Sequence, residues 1–451
     1  MKASPILRAL AAHWWTLLAA LLLAGFAVPF ALRKNSEWET VYVAAARHLW
    51  AGEDIYTSNY LYPPFMAWLT IPFTVLPPLA DRLAFYALNV VCLLAFVRWS
   101  WQLASVPKGD GALGPRSTGE FTRTELAIGA LGLLVALPFA LDCLTHQQND
   151  LLLAALLLGG CRLLSVQRPM LAATLFGLAA GIKCTPLLWA PYLALRGRWR
   201  AALWVPCVAL AVNLLPNLVS TPEQGGMWLG TWVARYLKPM GTAAAYPGVW
   251  GSEIIYNHSL SGLANRMLVV DWTGTGANFQ VVERSAPLSP VQVKLLLYGV
   301  ELALVLGAWI VMRRSRVART GYPPALPAEP LEYCIVLLLM LLLSPMSSKP
   351  HFCTLFLPGF CLARLAVQQR DRVVATLLVS ALVAAMLANK DLWGDTIYTF
   401  TLWHGCVTWS ALLLLAAAGY WLITGANSPA RPPILSPLPE LLDSPMAPSR
   451  G

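Results

Sequence analysis

The sequence predicts an all-α fold, a polytopic bundle of transmembrane helices. Three observations carry that expectation. Of the 451 residues, 57% are hydrophobic and only 12% are charged, about half the charged fraction of a soluble domain. Apolar runs such as "WWTLLAALLLAGFAVPFAL" and "VTWSALLLLAAAGYWLI" are long enough to cross a hydrocarbon core of roughly 30 Å as helices, which satisfy their own backbone groups. The formal net charge of +10 comes from Lys and Arg gathered in short loops between such runs. That is the pattern of the positive-inside rule, not of a nucleic-acid surface.

Taken in order, the loops give a topology. Lys2 and Arg8, "RGRWR" at 196–200, "RRSRVAR" at 313–319 and "RLAVQQRDR" at 364–372 are placed on the cytoplasmic side. The polar segments 33–61, 143–150, 220–290, 344–352 and 390–402 then share the outer face. The first apolar run lacks a small-residue cleavage site and reads as the first of the spans, of which roughly ten to thirteen are expected. If the basic loop 106–123 is cytoplasmic, the proline-rich stretch 62–78 is re-entrant or interfacial; otherwise that loop is mis-sided. One membrane domain therefore covers 1–425, and the Pro- and Ser-rich tail 426–451 is expected to be disordered. The nine cysteines lack metal-ligand or disulfide-framework spacing and read as small buried hydrophobes. Scattered His and carboxylate residues make no convincing metal-ligand set, so no metal is expected.

The chemistry should lie where polar residues crowd the membrane edge. In "KNSEWETVYVAAARHLW", Glu37 and Glu39 share one side of an extended chain but lie about 200° apart on a helix. Tyr42, Ala45, Ala46 and Leu49 have helical spacing, which predicts an amphipathic helix on the membrane surface with Trp38 and Trp50 at headgroup level. Glu37 either does chemistry or supports the start of that helix. In "HQQND", residues 146–150, amides at the membrane boundary must find partners. Asn149 and Asp150 there fit a helix cap as well as a site. Lys183 lies within apolar sequence, where an ionisable group is costly, and Pro186 predicts that its helix breaks there. In "SPMSSKPHF", Lys349 and His351 offer a cation and an imidazole suited to a phosphate group.

The order of these motifs resembles glycosyltransferase family 87, of the GT-C superfamily. The resemblance rests on an acidic residue and "VY" after the first span, then "AGEDIY", "YPPF", "QQNDLLLAALLL" and "AAGIKCTPLL". It continues through "NHSLSGLANR" to "SPMSSKPHF". It implies a GT-C-like bundle in a bacterial cell membrane with an extracytoplasmic active site. Its donor would be a sugar on a polyprenyl phosphate, mannose or another hexose or arabinofuranose. The acceptor would be a glycan or glycolipid whose hydroxyl attacks the anomeric carbon with inversion and without a cofactor. By position, the resemblance implies Glu37 or Glu39 as base, together with His351. Lys183, Lys349 and Arg266 would serve the donor phosphate. Tyr42, Tyr56, Tyr62, His146, Gln147, Asn149, Asn257, His258 and Ser259 would line the substrate site. Gly52, Pro63 and Pro64 match positions that shape it. Here His146 replaces a Gly of the family pattern, and the first-loop acid is Glu where Asp is usual. A transporter or flippase of lipid-linked sugars is the alternative, whose mark would be ionisable residues deep within several spans. An assembly subunit without activity is a third.

Overall fold

A computed structural model describes residues 23–105, 122–242, 245–248, 253–314 and 328–424. The tail 426–451, nearly all of the basic loop 106–123 and most of 313–319 lie outside the described residues. The first run is described only as α1, Leu23–Leu32. After it, a π-helical turn, Trp38–Val43, runs into α2, Ala44–Ala51. Gly52 ends α2 in the left-handed region at φ 77°, which glycine enters without steric cost.

The predicted amphipathic helix is there, but its apolar face is spent on protein. Ala45, Ala46 and Leu49 are fully buried, packed towards α3, Phe65–Thr70, and the 3₁₀ turns beside it. Trp38 corrects the expectation of a headgroup anchor. Its ring stacks on Phe85 with centroids 3.6 Å apart, and its Nε1 donates to Asp81 Oδ1 at 2.9 Å. With both its face and its N–H satisfied, the indole belongs inside. Trp50 is exposed. The stretch 62–78 contains only α3 and the 3₁₀ turn Ile71–Phe73, together about 14 Å long and too short to span.

The bundle proper comprises α4, Pro78–Ala104; α5, Arg123–His146; α6, Asp150–Ser165; α7, Pro169–Ile182; α8, Trp189–Leu195; and α9, Trp199–Leu214. The long outer segment folds as α10, Trp228–Trp232; α11, Lys238–Met240; α12, Leu260–Leu268; and an antiparallel hairpin, β1 Val270–Thr273 against β2 Gln280–Glu283. The chain closes with α13, Pro290–Arg314; α14, Ala328–Leu342; α15, Phe356–Gln368; α16, Arg372–Met386; α17, Lys390–Trp403; and α18, Cys406–Thr424.

Among the described residues, six helical segments are long and apolar enough to cross a bilayer. Counting α16 and α17 as one span bent by 90° makes seven. This is fewer than the ten to thirteen that the apolar runs suggest. Polar breaks and prolines cut several of those runs into shorter helices, such as α6, α7 and α14. The all-helical membrane architecture itself stands. Helix α14 is buried from Pro330 to Leu342 and forms the centre, whereas α13 lies at the periphery. Close approach depends on glycine: α5 meets α15 at Gly132 and Gly359, where a side chain on Gly132 would strike the Phe360 ring. Helix α7 meets α9 with Gly177 against Val208. Small residues at such crossings let van der Waals packing substitute for the weak hydrophobic drive inside lipid. All nine cysteines are free and most are buried.

Candidate active site

Three chain segments separated in sequence converge where α5 ends, α6 begins and α7 ends. Gln147, the residue after α5, adopts the left-handed conformation at φ 57° and donates from Nε2 to Phe30 O at 2.6 Å. That sharp turn aims Gln148, Asn149 and Asp150 into the protein, where all are buried. Neither Asn149 nor any other side chain caps α6, so the capping alternative is not realised. Arg33 binds the carbonyl of Thr145 and ties the chain after α1 to the same corner.

The two candidate glutamates have different partners. Glu39 Oε1 accepts from Arg82 Nε at 2.9 Å and Nη2 at 2.5 Å, and its Oε2 accepts from Asn35 N at 3.1 Å. Its carboxylate is fully engaged by a bidentate-type clamp. Glu37 makes no capping bond and accepts from Gln148 Nε2 at 2.7 Å. Burial raises its pKa above the ordinary carboxylate value, opposed by the Gln148 bond and by the nearby His146 and Arg33. A carboxylate so placed is a stronger base than one in water.

Behind it lies a buried charged cluster. Lys183, the residue that ends α7 in an extended conformation, contacts His351 directly. Asp150 Oδ1 lies 3.7 Å from Lys183 Nζ and 3.6 Å from His351 Nε2. Ser348 N donates to His351 Nδ1 at 3.0 Å, which orients the ring. The Tyr62 ring lies 5.9 Å from the Lys183 ammonium, its hydroxyl accepts from Tyr42 at 2.8 Å, and the Tyr42 hydroxyl also lies 3.4 Å from Asn149 Oδ1. Burial raises the pKa of both tyrosines, keeping them as neutral hydroxyls. Lys183 and His351 also line a cavity of about 20 Å³, together with Thr185, Ser347, Leu153, Leu337 and Met340, room for about one water.

The outer segment seals this corner. Asn257 Oδ1 accepts from Ser259 N, Ser259 Oγ and Ser347 N, and Asn257 Nδ2 donates to Pro345 O. It thereby staples "NHSLSG" to "SPMSS". Ser259 also caps α12 through Gly262 N. His258 is fully buried beside the Phe352 ring, and burial first, then Arg266, Lys349 and His351, push its pKa well down, so it is neutral.

The sequence model of glycosyltransferase family 87 matches residues 60–345, well over half of the chain. This chain belongs to glycosyltransferase family 87. It is a multi-pass membrane glycosyltransferase. Among solved structures it is similar to ArnT from Cupriavidus metallidurans bound to undecaprenyl phosphate, at 15% identity and a TM-score of 0.38, over 92% of this chain and 78% of that one. The apo state of the same protein gives 17% identity and a TM-score of 0.32, over 90% and 78%. No curated protein matches the chain significantly.

The family match takes in Tyr62, Gln147, Lys183 and Asn257 but stops short of Glu37 and His351. Of the residues predicted for this glycosyltransferase, Glu37, Tyr42, Tyr62, Asn149, Lys183 and His351 come together. His146 stands beside Glu37, 3.7 Å from Asp142. Others are drawn away by firm partners. Lys349 donates to Ala388 O at 2.5 Å and sits over the Tyr398 ring. Arg266 spends its N–H groups on Trp403 O, Ile254 O and Asn257 O. Tyr56 packs under Arg235 and reaches Trp228 O. Gln148 and Asp150 escaped selection as site residues. The signal was present for Asp150, a carboxylate heading the apolar run "LLLAALLL", but its partners lie in other segments.

Proposed function

We propose that this glycosyltransferase transfers a sugar from a polyprenyl phosphate to an acceptor hydroxyl on the extracytoplasmic face of a bacterial cell membrane, with inversion. The sugar is mannose or a related hexose or arabinofuranose, and the acceptor a glycan or glycolipid. The observation that carries this reading is the buried Lys183 and His351 pair beside Asp150 and Tyr62, with the Glu37 carboxylate held at the same corner through Gln148.

In the reaction, the acceptor oxygen attacks the anomeric carbon while the bond to phosphate oxygen breaks. Glu37 takes the hydroxyl proton as the nucleophile forms. Lys183 and His351 meet the negative charge that develops on the departing phosphate. Tyr42, Tyr62 and Asn149 supply neutral donors and acceptors for the sugar. The Arg82 clamp on Glu39 supports Glu37 over Glu39 as base. The carbonyl partners of Lys349 and Arg266 support scaffold roles for both.

The test is transfer from labelled polyprenyl-phosphate sugars in membranes. Glu37→Gln should abolish turnover with donor binding intact, and Lys183→Met should raise the donor KM about tenfold or more, the worth of one charge-assisted contact. Full activity of Glu37→Gln sinks the assignment of the base.

A further inference from the structure

Asp150 stands where the proposed chemistry has no evident use for a carboxylate. The residue is 1% exposed, and its Oδ1 is within 3.7 Å of both the Lys183 ammonium and the His351 imidazole that would hold the phosphate. A negative charge there works against binding any anion. We infer that Asp150 is a specificity residue that makes the pocket prefer the donor phosphodiester to the product phosphomonoester. This rests on the reading of Lys183 and His351 as phosphate ligands.

The charge balance of the reaction motivates it. The donor diester carries one negative charge. Transfer breaks the bond between the anomeric carbon and the phosphate oxygen, and the electron pair stays on that oxygen. The acceptor proton goes to Glu37. The lipid is left as a monoester carrying roughly −1.5 to −2 at pH 7. The Lys183 ammonium without a counter-charge would hold this product more tightly than the substrate, and each turnover would end in an inhibited enzyme. A fixed carboxylate beside that cation penalises the monoester about twice as heavily as the diester. Asp150 thus offsets the extra attraction that the reaction itself creates, and the spent lipid leaves.

The titratable and charged groups facing Asp150 are Lys183 after α7, His351 before α15, Tyr42, Tyr62 and Glu37 from the first outer segment, and Cys143 of α5. They are the same in the wild type and in Asp150→Asn, so the change in the ratio of the two affinities between these proteins isolates the Asp150 charge. A residue that merely neutralised Lys183 for folding would leave that ratio alone.

The experiment measures donor KM and the competitive Ki of polyprenyl phosphate for the wild type, Asp150→Asn, Asp150→Glu and Lys183→Met in lipid nanodiscs. At pH 8, Asp150→Asn should lower Ki relative to KM about tenfold, as expected for removing one unit charge near a dianion at intermediate dielectric. At pH 5.5 the monoester is largely monoanionic and the ratio should change less than about twofold. Asp150→Glu keeps the charge and should stay near the wild-type ratio. A second measurement needs no variant: in the wild type, polyprenyl phosphate should bind no more tightly than its methyl diester at pH 8. An Asp150→Asn ratio equal to wild type at pH 8, or a clear wild-type preference for the monoester, overturns the inference while leaving the pocket reading intact. Unchanged KM and Ki in Lys183→Met overturns both.

Discussion

Replacing Gln148 with Leu removes the hydrogen bond that reaches the Glu37 carboxylate from the turn between α5 and α6. The bond is 2.7 Å long, from Nε2 to Oε2, and it favours the ionised form. A hydrogen bond to a charged group contributes roughly 1.5–3 kcal/mol. Because Glu37 is only partly buried, solvent screening places it at the lower end of that range. At 1.36 kcal/mol per pKa unit, the loss raises the Glu37 pKa by about one unit. The sign follows from the proposed role of base. Only the carboxylate accepts a proton, so the rate falls as pH drops through the pKa, and a higher pKa moves that acid limb upward. His146 and Arg33, which lower the pKa, and Asp150, which raises it, are untouched by the substitution. The assay is kcat/KM against pH in nanodiscs. Gln148→Leu should lose about tenfold on the acid side of the wild-type limb and little above pH 8. A uniform loss at every pH, or a limb that stays put, refutes the reasoning.

Glu39→Gln should keep most of its turnover per folded molecule but lower stability by about 1–3 kcal/mol, because Arg82 loses its charged partner; thermal unfolding alongside activity separates the two effects. Trp38→Ala should cost about 3–5 kcal/mol through loss of the ring stacked on Phe85, read as a lower unfolding temperature and loss of folded protein. Gly132→Ala drives a methyl into Phe360 and should cost about 1–3 kcal/mol. Adding Phe360→Leu should recover part of that loss, a coupling measurable in a double-mutant cycle.

Fold class was legible because hydropathy is a local property: each apolar run announces a helix without reference to any other part of the chain. The number of full-length spans was less legible, since where a helix stops depends on local breaks such as the extended conformation at Lys183. The difference between Glu37 and Glu39 was invisible because it turns on Arg82, 43 residues away from Glu39. Trp38 misled for the same reason: aromatic residues near a membrane edge usually favour the interface, but here Phe85 and Asp81 supply a better site. Lys349 and His351 look like a pair in sequence. They lie on a 3₁₀ helix, Lys349–Leu355, and at three residues per turn side chains two apart point about 120° from each other. One therefore reaches Ala388 and the other reaches Lys183.

The lengths of α6 and α7 bear on how a lipid would approach. These helices have 16 and 14 residues, about 24 and 21 Å, against a hydrocarbon core of roughly 30 Å. Their ends away from the site carry Arg162, Arg168 and, paired with Glu329 and Glu332 at the start of α14, Arg198 and Arg196. Charges of that kind fix those ends at headgroup level. The shortfall of roughly 6–9 Å then falls on the side of Lys183 and His351. With those ends at headgroup level, the candidate site would form a hollow below the surrounding headgroups. In the proposed reaction a lipid phosphate would reach it by sinking, its isoprenoid chain staying in oil throughout. Lifting the chain out instead would cost about 0.8 kcal/mol for every methylene exposed to water.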